Sequence, residues 1–382
     1  MSFKTFLLSL ILIFSGYSII AQNTEIKTPK PQKKYVKYLD ARYEFGAMLG
    51  TDSDWSEQIV NSSAYMGLDF RLGFRKTDSN DIYSNVYRRP YFGLGFYSST
   101  FHNADVGYPN AIYFFLTIPL KFEENKKFTM SYSGAYGISY NFNAFDSISN
   151  PTNVFLGSDK NIYVHLEFDM NYKFNEKWAA YGAVGFKHFS NGSFKQPNFG
   201  INLLPVTLGV RYKFSDDKID HFRKDIPEYI KHNIWNIAFI AGSKNYVTGG
   251  ANYLKATISA NYLRQLTYKH SVGFGFDFFY SDKAYLRNDS DASDFSQSFS
   301  LAAVASGEWN VTKNLYVPMG IGIYLHRNEE NDEKTIYYER VGMRYRFAKH
   351  YFAGLTIKAH GGAADIFEWT IGYTIHNDPN KK

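Results

Sequence analysis

The sequence predicts an all-β protein, an antiparallel transmembrane β-barrel of about 16 strands. Three observations lead to this fold class: abundant aromatic residues, strict alternation of apolar and polar side chains, and connections that alternate between short and long. Aromatic residues make up 19% of the chain, with 32 Tyr and 34 Phe. The mean hydropathy of −0.35 agrees with such a barrel, because lipid-facing and lumen-facing side chains cancel along each strand.

The alternation is clearest in residues 64–75 (AYMGLDFRLGFR) and 254–263 (LKATISANYL), where apolar and polar side chains take turns. Similar segments of ~9–13 residues recur along the chain, which is the length that a tilted strand needs to cross a bilayer. They start near Arg42, Ala64, Tyr91, Ala111, Phe128, Ile162, Ala179, Asn202, Trp235, Asn252, Ser271, Phe295, Leu315, Thr335, Tyr351 and Ile366. This series predicts membrane-spanning strands.

The rest of the chain is predicted to form a leader, a linker and a tail. Lys4, an apolar stretch and Ala21 have the order of a secretory signal peptide, so we assign residues 1–21 to one. The full set of predicted segments is a signal peptide (1–21), a periplasmic N-terminal segment (22–40), a first barrel half (41–214), a periplasmic linker with room for one short helix (215–233), a second barrel half (234–376) and a C-terminal tail (377–382).

How the strands close is less clear from the sequence, because each half holds about eight of them. One barrel of about 16 strands and two tandem barrels of about eight fit the same pattern. The polar row Lys255, Thr257, Ser259 and Asn261 suits a wide, wet interior. We therefore favour one barrel and keep two tandem barrels as the alternative. In either case the longer loops are expected outside the cell.

Charge and composition exclude several classes of function. The formal charge of +6 is spread along the chain, so we expect no nucleic-acid partner. The absence of Cys excludes disulfides and thiolate chemistry. His102, His188 and His360 are scattered and no metal-binding motif is present, so we expect neither metal nor cofactor. One loop, with Asp146 and Asp159, is kept open as a divalent-ion site.

A polar stretch interrupts the apolar segments at residues 186–202 (FKHFSNGSFKQPNFGIN). By alternation, His188 and Ser190 share a face with Val184, and Asn202 shares one with Leu204. We therefore expect His188, Ser190 and Asn202 to point toward lipid at the outer rim. A Ser near a His that a third group orients is the arrangement of an activated nucleophile. A simple interfacial His is the plainer alternative.

The stretch HFSNGSFKQPNFGIN resembles the HxSN signature of the PagL-type lipid A deacylases, which are outer-membrane barrels with a serine-esterase site. Residues 88–97, 150–161 and 358–373 are similar to a longer branch, the acyloxyacyl hydrolases. The resemblance implies that Ser190 is the nucleophile and His188 the general base, with Asn191, Gly192 and Asn198 at or near the oxyanion hole. It also implies lipid A, or lipopolysaccharide, as substrate, contact with outer-membrane lipid, and location in the outer membrane. A homodimer is kept open.

One position departs from the family pattern, because Asn202 stands where studied members carry Glu. Loss of the triad carboxylate costs about 10⁴ in rate in serine proteases, so a slow enzyme is one expectation. Glu167 and Asp169 are predicted to face the lumen, where they cannot replace it. Lys358, His360 and Glu368 are predicted to form a lumen polar cluster, either as a satisfied network or as an ion or substrate site. The alternatives to a deacylase are a non-enzymatic pore or lipid-binding barrel, and a phospholipase.

Overall fold

The computed structural model of the chain describes residues 34–51, 54–78, 80–123, 126–215, 224–282, 295–328 and 331–376. The predicted signal peptide and C-terminal tail lie outside the described residues, as does most of the predicted periplasmic segment. Among the described helices, none is long and apolar enough to cross a membrane.

Sixteen strands account for most of the described residues, and each is antiparallel to its neighbours. They are β1 Tyr35–Leu49, β2 Tyr65–Lys76, β3 Tyr91–Thr100, β4 Gly107–Pro119, β5 Phe128–Phe142, β6 Asn161–Lys173, β7 Trp178–Ser190, β8 Ile201–Lys213, β9 His232–Asn245, β10 Asn252–Gln265, β11 His270–Ser281, β12 Phe299–Asn310, β13 Leu315–His326, β14 Tyr337–Phe347, β15 Tyr351–His360 and β16 Ala363–His376. The predicted all-β, antiparallel class is confirmed.

The strands close into two barrels of eight, β1–β8 and β9–β16, so the favoured single barrel is wrong and the tandem alternative is confirmed. In the first barrel β8 returns to β1, with Tyr43 opposite Leu208. In the second, β16 returns to β9, with Ile237 opposite Tyr373. Alternation within strands is the same for either closure, so it could not decide between them. Lys255 and its polar row do face the lumen, but that lumen is narrow and filled.

Within the described parts of the connections there are three short helical segments. Helix α1, Asp54–Asn61, lies between β1 and β2, and a 3₁₀ turn, Phe295–Ser298, precedes β12. Helix α2, Ile82–Val86, lies between β2 and β3, where the carboxylate of Asp81 accepts a hydrogen bond from the backbone N–H of Ser84 at 2.6 Å. In the predicted linker, described residues 224–231 contain no helix.

The two ends of the barrels differ in their connections. The end with residues 143–160 and 191–200 is here called the loop end, and the end with the tight turns 174–177 and 266–269 the turn end. The apolar side chains of alternate positions stay exposed on both walls, as with Leu208 and Phe239. Such a band is what lipid covers in transmembrane barrels.

Ion pairs and aromatic rings fill the middle of both barrels, and a cavity of about 540 Å³ lined by Arg75, Glu123 and Arg211 opens at the turn end of the first. In the first, Glu167 accepts hydrogen bonds from both Arg42 and Arg71. In the second, Arg340 bridges Asp277 and Glu368. Eight strands leave an interior just wide enough for side chains, and a buried charge there requires a partner. Two cavities in the second barrel measure only about 10 and 40 Å³.

The barrels touch each other at both ends. At the turn end, the hydroxyl of Tyr87 donates a hydrogen bond to the carbonyl of Asn310 at 2.5 Å, and its ring meets Trp309 edge-on at 6.1 Å. At the loop end, the backbone N–H of Asn245 donates to the carbonyl of Ser193 at 2.8 Å. The second of these contacts lies beside the stretch that the sequence analysis singled out.

Candidate active site on the outer wall of the first barrel

Strands β7 and β8 bring His188 and Asn202 directly opposite each other. Both lie on the outer face of the wall, because the side chain between His188 and Phe186 points inward: Lys187 is buried and contacts Glu44 in the lumen. On the same outer face of β7, Val184 is 54% exposed. The parity of the strand therefore turns the candidate residues away from the filled interior.

His188 and Asn202 are joined by a short hydrogen bond, with 2.6 Å between Nδ1 and Oδ1. An amide oxygen only accepts, so this contact assigns the proton of the neutral imidazole to Nδ1. Nε2 is then the acceptor, which is the tautomer that a general base needs. Asn202 can therefore orient the ring, although it brings no negative charge.

Gly200 packs against the other side of the imidazole. A Cβ built on Gly200 would lie 2.7 Å from Cε1 of His188 and 3.4 Å from its Nε2. Its φ of +75° also lies in the region that side chains disfavour, and its N–H donates to the carbonyl of Phe155 at 2.9 Å. Only glycine meets both demands, so the ring of His188 is held between Asn202 and the backbone at residue 200.

Ser190 ends β7 two residues beyond His188, on the same outer face, and is 2% exposed. Its Oγ accepts a hydrogen bond from the backbone N–H of Gly192 at 3.2 Å. Among the hydrogen bonds of the described residues, none joins this Oγ to His188. Side chains two apart on one face of a strand start about 7 Å apart at their Cβ atoms, within mutual reach of a Ser and a His.

The turn after Ser190 is held by the side chains of two asparagines. The backbone N–H of Asn191 donates to Oδ1 of Asn198 at 3.0 Å. The Asn191 amide group donates to Ser158 Oγ at 3.0 Å and to the Lys195 carbonyl at 2.9 Å. The side chain of Asn191 thus holds the turn, whereas the N–H of Gly192 contacts the Oγ of Ser190.

The acidic residues near the site lie inside the wall. Glu167 is held by Arg42 and Arg71, and Asp169 is fully buried on the same lumen-facing side of β6. Neither can contact His188 through the wall. The side chain that contacts Nδ1 of His188 is that of Asn202.

The predicted lumen cluster divides into two groups in the second barrel. Lys358 lies 3.4 Å and His360 3.9 Å from the carboxylate of Asp365. Glu368 instead pairs with Arg340, with 2.7 Å between Oε2 and Nε. Both groups are buried networks on the opposite side of the wall from the outer face.

Among the described residues, the acidic and histidine ligands close enough to hold a metal ion are Glu44, His165 and Glu167, inside the first barrel. The cations Arg42 and Lys187 already bind these carboxylates, so the residues do not favour a metal ion there. Asp146 instead closes its own loop, accepting hydrogen bonds from the N–H of Ile148 and Ser149. These bonds lower the pKa of its carboxyl group.

Sequence reasoning missed two residues that touch the site. Gly200 was within the quoted stretch, and a glycine directly before a strand signals an unusual φ. Phe367, on β16, directly precedes the lumen-facing Glu368, so alternation predicts that it faces lipid, yet a Cβ on Gly192 would lie 2.2 Å from its ring. No pattern in the sequence links residues this far apart.

These observations define a class: a membrane-embedded barrel with a serine, a histidine and an orienting amide on its lipid side. Residues 64–211 match the family described as "Lipid A 3-O-deacylase (PagL)". Residues 233–377 match "Acyloxyacyl hydrolase, C-terminal domain" (PagL_C). The chain belongs to the PagL family of lipid A deacylases, which are outer-membrane ester hydrolases, and is an outer-membrane protein.

Three solved structures are similar over most of their lengths. The first is the beta domain of the Bordetella autotransporter BrkA, with 8% identity, coverage of 90% of this chain and 99% of that chain, and a TM-score of 0.22. The second is the COG4313 outer membrane channel of Pseudomonas putida F1, with 12% identity, coverage of 92% and 100%, and a TM-score of 0.18. The third is the Acinetobacter baumannii outer membrane protein Omp33, with 8% identity, coverage of 90% and 98%, and a TM-score of 0.16. At these TM-scores the likeness carries no argument about this chain. No curated protein matches it.

Proposed function

We propose that this protein hydrolyses a fatty acyl ester of lipid A, with Ser190 as nucleophile and His188 as general base, at the outer leaflet of the outer membrane. Family membership supports the class of substrate and reaction. The single observation that carries the assignment of residues is the 2.6 Å contact between His188 and Asn202 on the outer face.

In the proposed reaction, Nε2 of His188 takes the proton of Ser190 as Oγ attacks the ester carbonyl. The tetrahedral intermediate collapses, His188 returns the proton to the leaving sugar hydroxyl, and an acyl-enzyme forms. Water, activated by the same imidazole, then releases the fatty acid. Contacts between catalytic groups are often long without substrate and tighten in the complex, so a Ser190–His188 hydrogen bond is expected to form when the ester binds.

The oxyanion is assigned to the N–H of Gly192 and the amide nitrogen of Asn198. The Gly192 N–H already points at Oγ from 3.2 Å, and Asn198 is fixed through its Oδ1. Asn191 acts by holding this turn. Donors fixed in advance stabilise the developing charge without reorganisation, and each is worth about 10²–10³ in kcat in a serine protease.

The position of these residues at the loop end supports a location at the outer leaflet. The long connections of outer-membrane barrels lie outside the cell, and residues 191–200 belong to that end. A Ser and a His on the lipid side there would meet the ester of a lipid at headgroup depth. The polar residues are also least costly at that depth.

The experiment compares lipid A from cells that express the full chain and from cells with Ser190→Ala, by mass spectrometry. We expect loss of an acyl chain with the native protein and a rate at least ~10³-fold lower with the variant. Ser98→Ala, on the outer face of β3 and four strands away from β7, is the matched serine control. Equal acylation of lipid A with the native protein and with Ser190→Ala would refute the proposal. Release of fatty acid from glycerophospholipids alone would identify a phospholipase.

A further inference from the structure

The turn that follows Ser190 is fixed by the second barrel as well as by the first. The N–H of Asn245, at the loop end of β9, donates to the Ser193 carbonyl at 2.8 Å. The Ser193 hydroxyl donates to the carbonyl of Ala364, on β16, at 3.2 Å, and the Gln196 amide donates to the Asn245 carbonyl at 3.4 Å. Three hydrogen bonds thus cross between the barrels within six residues of the nucleophile.

An aromatic ring closes the same contact. The ring of Phe367 lies so near Gly192 that a Cβ built there would be 2.2 Å from Cδ2. Gly192 has a φ of +59°, so its position depends both on this close approach and on a backbone conformation open to glycine. Because its N–H contacts Ser190 Oγ, a shift of the ring would move the donor nearest the nucleophile.

The strand that presents Phe367 is anchored from inside. Asp365 lies between Ala364 and Phe367 on β16, and its buried carboxylate contacts Lys244, Lys255 and Lys358 in the lumen. A carboxylate shared by several ammonium groups in a narrow interior holds its strand firmly. The loop-end rim of β9 and β16 is therefore a rigid surface against which the turn rests.

Below this contact the outer walls of both barrels expose large apolar side chains. Trp369 lies two residues beyond Phe367 on the same face of β16, away from the loop end, and is 73% exposed. On the first barrel, Phe186 lies two residues below His188 and is also exposed. Both walls thus offer large apolar side chains at the depth just beneath Ser190.

From this arrangement we propose that the second barrel forms one wall of the active site. Phe367 is a positioning residue that sets the turn carrying Ser190 and Gly192, and Trp369 contacts the fatty acyl chain of the substrate. This inference rests on the proposed esterase function. It gives the second barrel a direct part in the reaction.

The test uses the full chain, purified in detergent, with lipid A as substrate. Phe367→Ala is expected to lower kcat about 10-fold with little change in KM, because donors misplaced by a fraction of an ångström lose much of their effect. It should also slow labelling of Ser190 by a fluorophosphonate probe. Phe367→Leu, whose side chain fills part of the space left by the ring, should recover part of kcat and part of the labelling rate. Phe274→Ala, on the exposed outer face of β11, is the matched control.

Trp369→Ala is expected to raise KM several-fold and to leave kcat nearly unchanged. It should also weaken the preference for longer acyl chains, since the indole would bury methylene groups of the chain. Trp235→Ala, an exposed tryptophan toward the turn end of β9, is its control. The folding of each variant is checked by heat-modifiable mobility, the difference in gel migration between boiled and unboiled samples.

Two outcomes separate this inference from the proposed function. If Ser190→Ala is inactive while Phe367→Ala and Trp369→Ala behave like their controls, the part assigned to the second barrel is overturned and the esterase stands. If Ser190→Ala keeps the activity of the native chain, the esterase assignment itself fails. A further variant, Gly192→Ala, should be inactive, and adding Phe367→Ala to it should restore part of the labelling only if the ring bears on the turn.

Discussion

The seventh strand of each barrel, β7 and β15, ends near a histidine at the loop end, yet the two histidines have opposite surroundings. His188 faces outward and bonds Asn202, whereas His360 faces inward, with Nε2 3.0 Å from the hydroxyl of Tyr324. In the first barrel residues 191–200 follow and form a braced turn, while Gly361 and Gly362 alone connect β15 to β16. Strand parity and the length of the next connection therefore give the same residue type an outward-facing position beside a braced turn in one barrel and a packed, inward-facing position in the other.

The largest expected contrast is between the two histidines. His188→Ala should lower the rate of lipid A deacylation by at least about 10³-fold, because the general base is lost. His360→Ala should leave the rate within about threefold, because that ring lies inside the other barrel, across the wall. Acyl release measured on the purified chain checks both. Similar losses in the two variants would mean that the lumen of the second barrel takes part in the reaction.

A second contrast concerns the ion pairs inside the second barrel. Asp365→Asn leaves Lys244, Lys255 and Lys358 with Asp332 as the one remaining carboxylate among the described contacts. The free energy of unfolding should therefore fall by about 3–5 kcal/mol. Asp277→Asn should cost only about 1–3 kcal/mol, because Arg340 keeps Glu368. Urea unfolding from lipid vesicles, followed by tryptophan fluorescence, measures the difference. Equal values would contradict the idea that Asp365 is the shared anchor.

Two glycines with nearly the same backbone conformation give a third contrast. Gly200 and Gly249 have φ values of +75° and +77°, but only Gly200 lies against another side chain, since a Cβ on Gly249 would have nothing within 4 Å. Gly200→Ala should lower kcat by about 10–100-fold by displacing the imidazole.

Gly249→Ala, which shares the backbone strain, should leave kcat close to that of the native chain. Gly200→Ala should also lose more of the free energy of unfolding than Gly249→Ala, because its Cβ must displace His188 in addition to the shared backbone strain. An equal fall in kcat for the two would show that strain in a loop, and not the position of His188, governs the rate.

The smallest effect is expected at the position that departs from the family pattern. Asn202→Glu should raise kcat by about 10-fold, because a carboxylate offsets the positive charge that forms on His188 during the reaction. Asn202→Leu should lower it, because no atom then orients the ring. Initial rates at several pH values provide the measurement. A Glu variant slower than the native chain would indicate that this site is adapted to a neutral partner.

The sequence by itself determined the strands and their faces, because a strand with lipid on one side and a packed lumen on the other must alternate its side chains. The same rule set His188, Ser190 and Asn202 on one face. It also turned Glu167 to the lumen, where Arg42 and Arg71 hold it.

Only the tertiary structure decided which strands close on each other. Lys255 and its neighbours indicated a wet channel by their polarity, but ion pairs across a narrow interior satisfy the same polar residues. The contact between Gly192 and Phe367 could not be predicted from the sequence either. It joins two closed barrels through surfaces for which alternation predicts contact with lipid. Alternation determines whether a side chain points into the lumen or out toward lipid. How the wall of one barrel packs against the wall of the other depends on the whole fold.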